Sequence, residues 1–267
     1  MTAMKAIAAF LTALLACGAA FASGGADLRL DPAPIHRLDA ESLQRGARNF
    51  VNYCLSCHSA KYMRYERLKE IGIPEDLIKS NLMFGTDKIG STMTVAMTPA
   101  EGKSWFNAAP PDLSVEARVR GVDWLYNYLI GFYKDDQAPS GWNNLVFPNV
   151  VMPHVLWSLS GSNKLVSTEF DEHEKAVAAA IAVKGLVKVE PGPGDKWLVH
   201  TVATDTPGTM SRDEYQAFVA DLVNFMDFMA EPTKNERIRI GIVVLLYLGV
   251  LFVLVYSLKR LIWKDVH

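Results

Sequence analysis

Cys54-Leu55-Ser56-Cys57-His58 constrains this chain more than any other stretch of it. Cys-x-x-Cys-His is the attachment pattern of c-type haem. Each thiol can add across one haem vinyl group, and the histidine beside the second cysteine is then placed to bind the iron from one side. A chain joined at two points to a flat apolar ring has to fold around it. The blander readings fit less well. A redox dithiol does not need His58, and a zinc site needs two more ligands at compatible spacing, for which the sequence offers no second cysteine pair.

The two ends say where such a domain would sit. "MTAMKAIAAFLTALLACGAAFASGG" has one lysine, an apolar run and a small-x-small site at Ala20-Phe21-Ala22, so residues 1–22 read as a secretory signal peptide. Cys17 falls inside it, and the mature chain keeps only Cys54 and Cys57. "LLAC" as a lipid-attachment site with Cys17 is the weaker alternative, because the Ala-x-Ala downstream fits better. At the other end, residues 238–258 carry one charge, Arg239, next to the edge. That run is long enough to cross ~30 Å of hydrocarbon as a transmembrane helix. Basic residues flank it on both sides, so charge bias does not orient it. An N-terminal export signal does: residues 23–233 are expected on the periplasmic side of the inner membrane, and 259–267 form a cytoplasmic tail.

From Ser23 to Glu236 there are 28 Asp plus Glu against 21 Lys plus Arg, net −7, whereas the whole chain is −2. An acidic exported domain repels nucleic acid. It favours a basic protein partner, or it simply keeps the domain soluble. Helical spacing marks "LDAESLQRGARNFVNYC", "YMRYERLKEIGI" up to Pro74, "EDLIKSNLM" and "VDWLYNYLIGFY". "SRDEYQAFVADLVNFMDFMAEP" adds a Ser211 cap with Glu214 three residues on, and a stripe of Phe218, Leu222, Phe225 and Met229. The stretch from Phe84 to Asp112 and the segment around Met152 read as loop. "KGLVKVEPGPGDKWLVHTV" reads as a β-hairpin.

A haem held by His58 alone would be open to small ligands, whereas a second axial ligand makes an electron carrier and a methionine there raises the potential. Met93 and Met97 in "GSTMTVAMTP", Met152 in "NVVMPH" and His154 are the candidates. A proline-stiffened irregular loop suits a weak thioether ligand, and both methionine segments qualify by that test; Met152 is preferred to Met97 by a narrow margin, with His154 behind both. Each methionine could equally fill a gap in the core. No catalytic triad, carboxylate pair or phosphate loop is visible, so no independent catalytic site is expected.

"NYCLSCHSAKYMRYERL", "APPDLSVEAR", "DDQAPSGWNNLVFPNVVMPHVLW" and the single C-terminal span, taken in order, resemble bacterial cytochrome c1, the haem subunit of the cytochrome bc1 complex (ubiquinol:cytochrome c oxidoreductase). The resemblance runs along essentially the whole chain. It implies a mainly α, cytochrome c-like haem domain with long loops and a small β-hairpin, followed by one C-terminal transmembrane helix. It implies one covalent haem c with His58 and Met152 as its axial ligands. It implies that Arg118 pairs with a haem propionate, that Asn107 lies on the propionate side and that Pro110 and Pro111 line the haem edge. The partners implied are cytochrome b, a Rieske iron–sulfur protein and a soluble cytochrome c, with electrons passing from the second to the third. A monohaem subunit of another respiratory oxidase or dehydrogenase, and a haem sensor, are the alternatives. Some members of the family brace a haem-side loop with a further disulfide. This chain has no cysteines for one, so packing alone must hold the Met152 loop.

Overall fold

The computed structural model describes residues 27–265; the signal-peptide expectation for residues 1–22, Cys17 included, lies outside them. In chain order the elements are β1 (Asp27–Arg29), α1 (Ala40–Tyr53), β2 (Ala60–Arg64), a 3-10 turn (Tyr65–Ile71), α2 (Glu75–Asn81), β3 (Thr92–Met93) and α3 (Pro99–Phe106). There follow α4 (Glu116–Arg120), α5 (Val122–Ile130), β4 (Phe132–Lys134), β5 (Trp142–Asn144), α6 (Trp157–Ser160), β6 (Gly161–Phe170) and α7 (His173–Ala182). The chain closes with β7 (Val187–Pro191), β8 (Trp197–Pro207), α8 (Arg212–Ala230) and α9 (Lys234–Ile262). The chain is mainly helical, with small antiparallel strands. It divides into two compact units, one of Leu30–Val166 with the chain from Thr201 onward, the other of Ser167–His200 with the segment that ends at Arg29.

The larger unit is built on α1 against α8. Asp39 caps α1 by accepting from the Ser42 amide at 3.0 Å, and Leu43, Ala47, Phe50 and Val51, one helical face, are buried. On α8 the Ser211–Glu214 capping box forms, and Phe218, Leu222, Phe225 and Met229 are all buried. The two helices meet at Gly46, where an added Cβ would lie 2.1 Å from the Asp221 carbonyl oxygen and 2.7 Å from Phe225 Cβ. Glycine is what lets the backbones approach so closely. Arg45 pairs with Asp221 at 2.6 Å beside the crossing, and Arg37 with the largely buried Asp227. The short helix α5 buries Leu125, Tyr126 and Leu129 in the same core and leaves Trp124 and Tyr128 on another face. Tyr215 of α8 ties the two together by donating to the Leu129 carbonyl at 2.8 Å.

In the smaller unit β1 pairs antiparallel with β7, Leu28 opposite Lys188, within a sheet of strand order β1-β7-β8-β6. Ala176 and Ala180 of α7 pack on Val187, Val189 and Val199. The Arg29 guanidinium donates to the carbonyls of Ala180 at 2.7 Å and Gly185 at 3.0 Å, satisfying backbone acceptors around the end of α7.

Two local expectations change. Residues 62–64 are not helical: they lie in β2, which pairs with β3 (Ala60 opposite Met93), and only Tyr65–Ile71 coils, as a 3-10 turn. Pairing with a strand distant in sequence overrides local propensity there. The stretch from Phe84 to Asp112 is not all loop, because α3 starts at Pro99 with a Thr98–Glu101 capping box. Thr98, Pro99 and Glu101 are a helix-start signature even though little apolar periodicity follows it. The hairpin expected around Pro191–Asp195 is present as β7 and β8, with the Gly192 amide donating to the Lys196 carbonyl.

Helix α9 has 29 residues, none of them buried, and its most apolar 18-residue window has a mean hydropathy of 2.8. At ~1.5 Å per residue it is some 40 Å long. By length and composition it can cross a membrane.

Candidate haem site

Within the larger unit a cavity of about 300 Å³ opens at the C-terminal end of α1. Cys54 ends that helix, its amide donating to the Phe50 carbonyl, and the next turn folds back so that the amides of Cys57 and His58 both donate to the Cys54 carbonyl, at 3.1 and 2.9 Å. One backbone oxygen thus gathers the whole motif. Cys54, Cys57 and His58 all line the cavity. Burial, with Cys57 adding to it, pushes the Cys54 thiol up to about 12, so it remains a protonated thiol. Among the described residues, no group of three or more His, Cys, Asp or Glu side chains is placed to hold a metal ion.

His58 lies 2.7 Å through Nδ1 from the Pro111 carbonyl oxygen. The carbonyl can only accept, so Nδ1 carries the proton and Nε2 keeps its lone pair. Burial lowers the pKa of His58, against smaller opposing effects from Pro111, Glu116 and Asp112, and so favours the neutral, ligating form. Pro110 and Pro111 form part of the wall with Phe106, Ala108, Ala109 and Leu113. Leu222 and Met226 of α8 also line it, and Trp124, Leu125, Tyr128 and Leu129 come from α5.

Of the methionines and the histidine weighed as a second ligand, Met152 alone lines this cavity, along with Val150, Val151, Pro153 and Val155. Met93, on β3, is buried in the core, and Met97 lies near Gly102. His154 is turned away and buried. It stacks on Phe132 with ring centres 4.8 Å apart, meets Trp142 edge-on, and lies 2.8 Å through Nε2 from the Ser160 hydroxyl. Met226 is a further lining methionine that the sequence did not single out, and it belongs to the buried face of α8.

The Met152 loop is laced by two adjacent asparagines. Asn144 Oδ1 accepts from the amides of Val146 and Phe147 at 2.9 and 3.1 Å, and Asn143 Oδ1 accepts from Asn149 at 2.8 Å, where the backbone turns through φ 60°. Asn144 Nδ2 ties the loop to α5 by donating to the Tyr128 carbonyl at 2.7 Å. Among the described residues both cysteines are free, so these bonds and the buried Leu145, Val146, Val150 and Leu156 do the bracing. "WNN" in the sequence carried this signal, since asparagine side chains commonly satisfy loop amides.

Arg118 and Asn107 stand apart from the cavity lining. Arg118 has a 66% exposed side chain that reaches Glu231 at 3.8 Å, next to the start of α9. Asn107 ends α3 in the left-handed conformation, φ 59°, and its neighbours Phe106 and Ala108 line the cavity instead. The lining guanidinium is that of Arg120. It sits over the Trp124 ring at 4.8 Å and the Phe147 ring at 5.9 Å, and pairs with Glu116 at 3.6 Å. Two residues are ~200° of helix, so Arg118 and Arg120 face opposite ways. Arg120 was legible as i+4 from Glu116 on one helix.

An apolar cleft walled by proline, leucine and aromatic side chains, with two thiols and one neutral imidazole at one end, a thioether in its lining and one unburied guanidinium, matches the chemistry of a porphyrin. Its ring is apolar, its vinyl groups meet thiols, and its carboxylates want a cation.

The sequence model of the "Cytochrome C1 family" matches residues 32–87 and 198–266. Among characterised relatives, "Ammonia monooxygenase gamma subunit" of Nitrosomonas europaea is 45% identical over 264 residues, 99% of this chain and 100% of that protein. "Cytochrome c1" of Allochromatium vinosum is 44% identical over 262 residues, 98% of both chains. "Cytochrome b/c1" of Bradyrhizobium diazoefficiens is 24% identical over 98% of this chain, which corresponds to 41% of that longer protein. The family model leaves residues 88–197 unmatched, and Arg120 and Met152 lie there. The alignments to the first two relatives cover almost the whole chain.

Proposed function

This chain belongs to the cytochrome c1 family, and we propose that within its complex it relays single electrons from a Rieske iron–sulfur protein to a soluble cytochrome c. It is a c-type cytochrome subunit of a bc1-type complex, associated with cytochrome b, and carries one covalently bound haem c. When bound, the haem supplies a one-electron iron couple. The chain's own residues do the rest. Cys54 and Cys57 would anchor the ring through their thiols, and His58, its Nδ1 held by the Pro111 carbonyl, would offer Nε2 to the iron. Met152 would offer its thioether, and the lining of Phe106, Pro110, Pro111 and Leu129 would keep water from the ring. Arg120 offers a cation to the propionates.

The observation that carries this reading is that one cavity gathers the Cys-x-x-Cys-His turn and Met152, about a hundred residues apart in sequence. A thioether bound to the iron beside His58 would close it to small ligands, which argues for relay and against sensing. The apolar helix α9 fits a single-pass anchor. With residues 1–22 as an export signal, the haem domain lies on the periplasmic side of the inner membrane and residues 259–267 inside.

The relative named for ammonia monooxygenase favours a second reading, a subunit of a monooxygenase. Purifying the tagged full-length chain from membranes and recording its reduced-minus-oxidised spectrum separates the two. A c-type band that co-purifies with b-type haem and an iron–sulfur protein is the expected result. A c-type band that leaves both behind overturns the relay proposed here.

A further inference from the structure

Tyr128 is the residue of α5 whose hydroxyl reaches Met152, with 3.3 Å between Oη and Sδ. A thioether sulfur carries two lone pairs, so one can bind a metal while the other accepts a hydrogen bond. The tyrosine is held so that this contact does not depend on chance rotation. Its ring stacks on Trp124, one turn earlier, with centres 5.1 Å apart and planes 8° from parallel. Phe132, one turn later, meets it edge-on at 5.1 Å. Its backbone carbonyl accepts from Asn144, the same asparagine whose Oδ1 holds the amides of Val146 and Phe147. Donor and acceptor are therefore mounted on one hydrogen-bonded frame. A phenylalanine would pack as well as tyrosine in so apolar a slot, so packing alone gives the hydroxyl no purpose.

We propose that Tyr128 is a positioning residue for the electron relay: its hydroxyl donates to the Met152 sulfur, fixes the direction of the thioether and raises the reduction potential. The inference rests on the reading that Met152 is a haem ligand. A donor on the free lone pair draws electron density from the sulfur, which then gives less to the iron. The oxidised state, which needs that density more, loses more than the reduced state.

The test is a redox titration of the full-length chain in its purified complex for four forms: unaltered, Tyr128→Phe, Met152→Leu and the double variant. Tyr128→Phe should keep its covalent haem and the weak ferric charge-transfer band that a sulfur ligand gives. Its reduced-to-oxidised ratio at fixed ambient potential should fall three- to tenfold, and tenfold is about 59 mV for one electron. In the Met152→Leu background the same change should do nothing, because the acceptor is gone. An unshifted Tyr128→Phe potential overturns the proposal, as does an equal shift in both backgrounds, which would mean that the hydroxyl acts through pocket polarity. A Met152→Leu protein with unaltered band and potential overturns the ligand reading instead, so the two failures are distinct. Should Tyr128→Phe fail to assemble, Tyr128→3-fluorotyrosine keeps the shape with a stronger donor. It should raise the potential, and a fall or no change overturns the proposal.

Discussion

His58 and Pro111 are joined by a 2.7 Å hydrogen bond from the ring Nδ1–H to the backbone carbonyl, and that bond decides which imidazole nitrogen faces the cavity. The carbonyl is itself held by the next residue. Asp112 accepts from the Lys61 amide at 3.0 Å through one oxygen and from the Ser114 amide at 2.9 Å through the other. His58 is thus oriented through a carboxylate that is not part of the cavity lining.

Asp112→Ala should therefore destabilise the haem domain by about 1–3 kcal/mol, the cost of leaving loop amides without their acceptor. Chemical denaturation of the detergent-solubilised chain at neutral pH measures it. An Asp112→Ala protein as stable as the parent would mean that water replaces the carboxylate at no cost.

The same carboxylate carries a pH signature. Burial pushes its pKa up, but the hydrogen bonds from Ser114 and Lys61 outweigh burial and leave it lowered overall. A carboxylate whose folded pKa lies below its unfolded value adds stability above the unfolded value and loses it as protons bind. The stability gap between the parent and Asp112→Asn should accordingly stay constant above about pH 5 and close as the pH falls below ~4. Denaturation midpoints across that range test it, and a gap that widened in acid would reverse the sign.

Replacing Cys54 and Cys57 together by Ala should abolish haem that survives denaturing electrophoresis, because the only other cysteine, Cys17, falls in the segment expected to be removed as a signal peptide. Haem still bound to the denatured double variant would require another linkage. Either single variant should retain attachment at one point, with a shifted absorption band.

Much of this architecture is written locally. The α1 and α8 helices declare themselves by spacing and caps, and the attachment turn by five consecutive residues. Other parts depend on contacts that local pattern does not encode. Tyr62 and Met63 read as helical and become strand because Thr92 and Met93 pair beside them. The residues alone set Met152 only slightly ahead of Met97, and the fold separates them by carrying one into the cavity and the other to Gly102. The stretch from Gly161 to Ala182, which forms β6 and α7, carries no strong periodicity. Its strand pairs with β8, whose sequence follows only after α7 and β7.

Gly46 gives a packing prediction in which two effects oppose each other. Alanine is a better helix former by about 1 kcal/mol. Its methyl would, however, stand 2.1 Å from the Asp221 carbonyl oxygen, which is backbone and cannot swing aside. Forcing α1 from α8 costs about 1–3 kcal/mol or more, because both faces are otherwise buried. The clash should win. Gly46→Ala is expected to lower the denaturation midpoint, and an unchanged or higher midpoint would show that the helices can separate cheaply.

Arg118 and Arg120 provide the last test, because the resemblance to the family favours one and the geometry of this chain the other. Arg120 lines the cavity, held over Trp124 and Phe147, so its charge would sit beside the propionates of a haem bound there. Removing a cation there leaves the carboxylates less compensated, which favours the oxidised iron and lowers the potential. Arg120→Gln should reduce the reduced-to-oxidised ratio on the order of tenfold, about 59 mV for one electron. Arg118 is mostly exposed and reaches Glu231, which Arg237 already pairs at 2.6 Å. An exposed pair of this kind is worth under about 1 kcal/mol. Arg118→Gln should thus leave the potential near that of the parent and lower thermal stability only slightly. Redox titration of both variants in the purified complex decides it. A larger potential shift for Arg118→Gln than for Arg120→Gln would mean that the helix Glu116–Arg120 turns when the haem is bound, bringing Arg118 to the propionates.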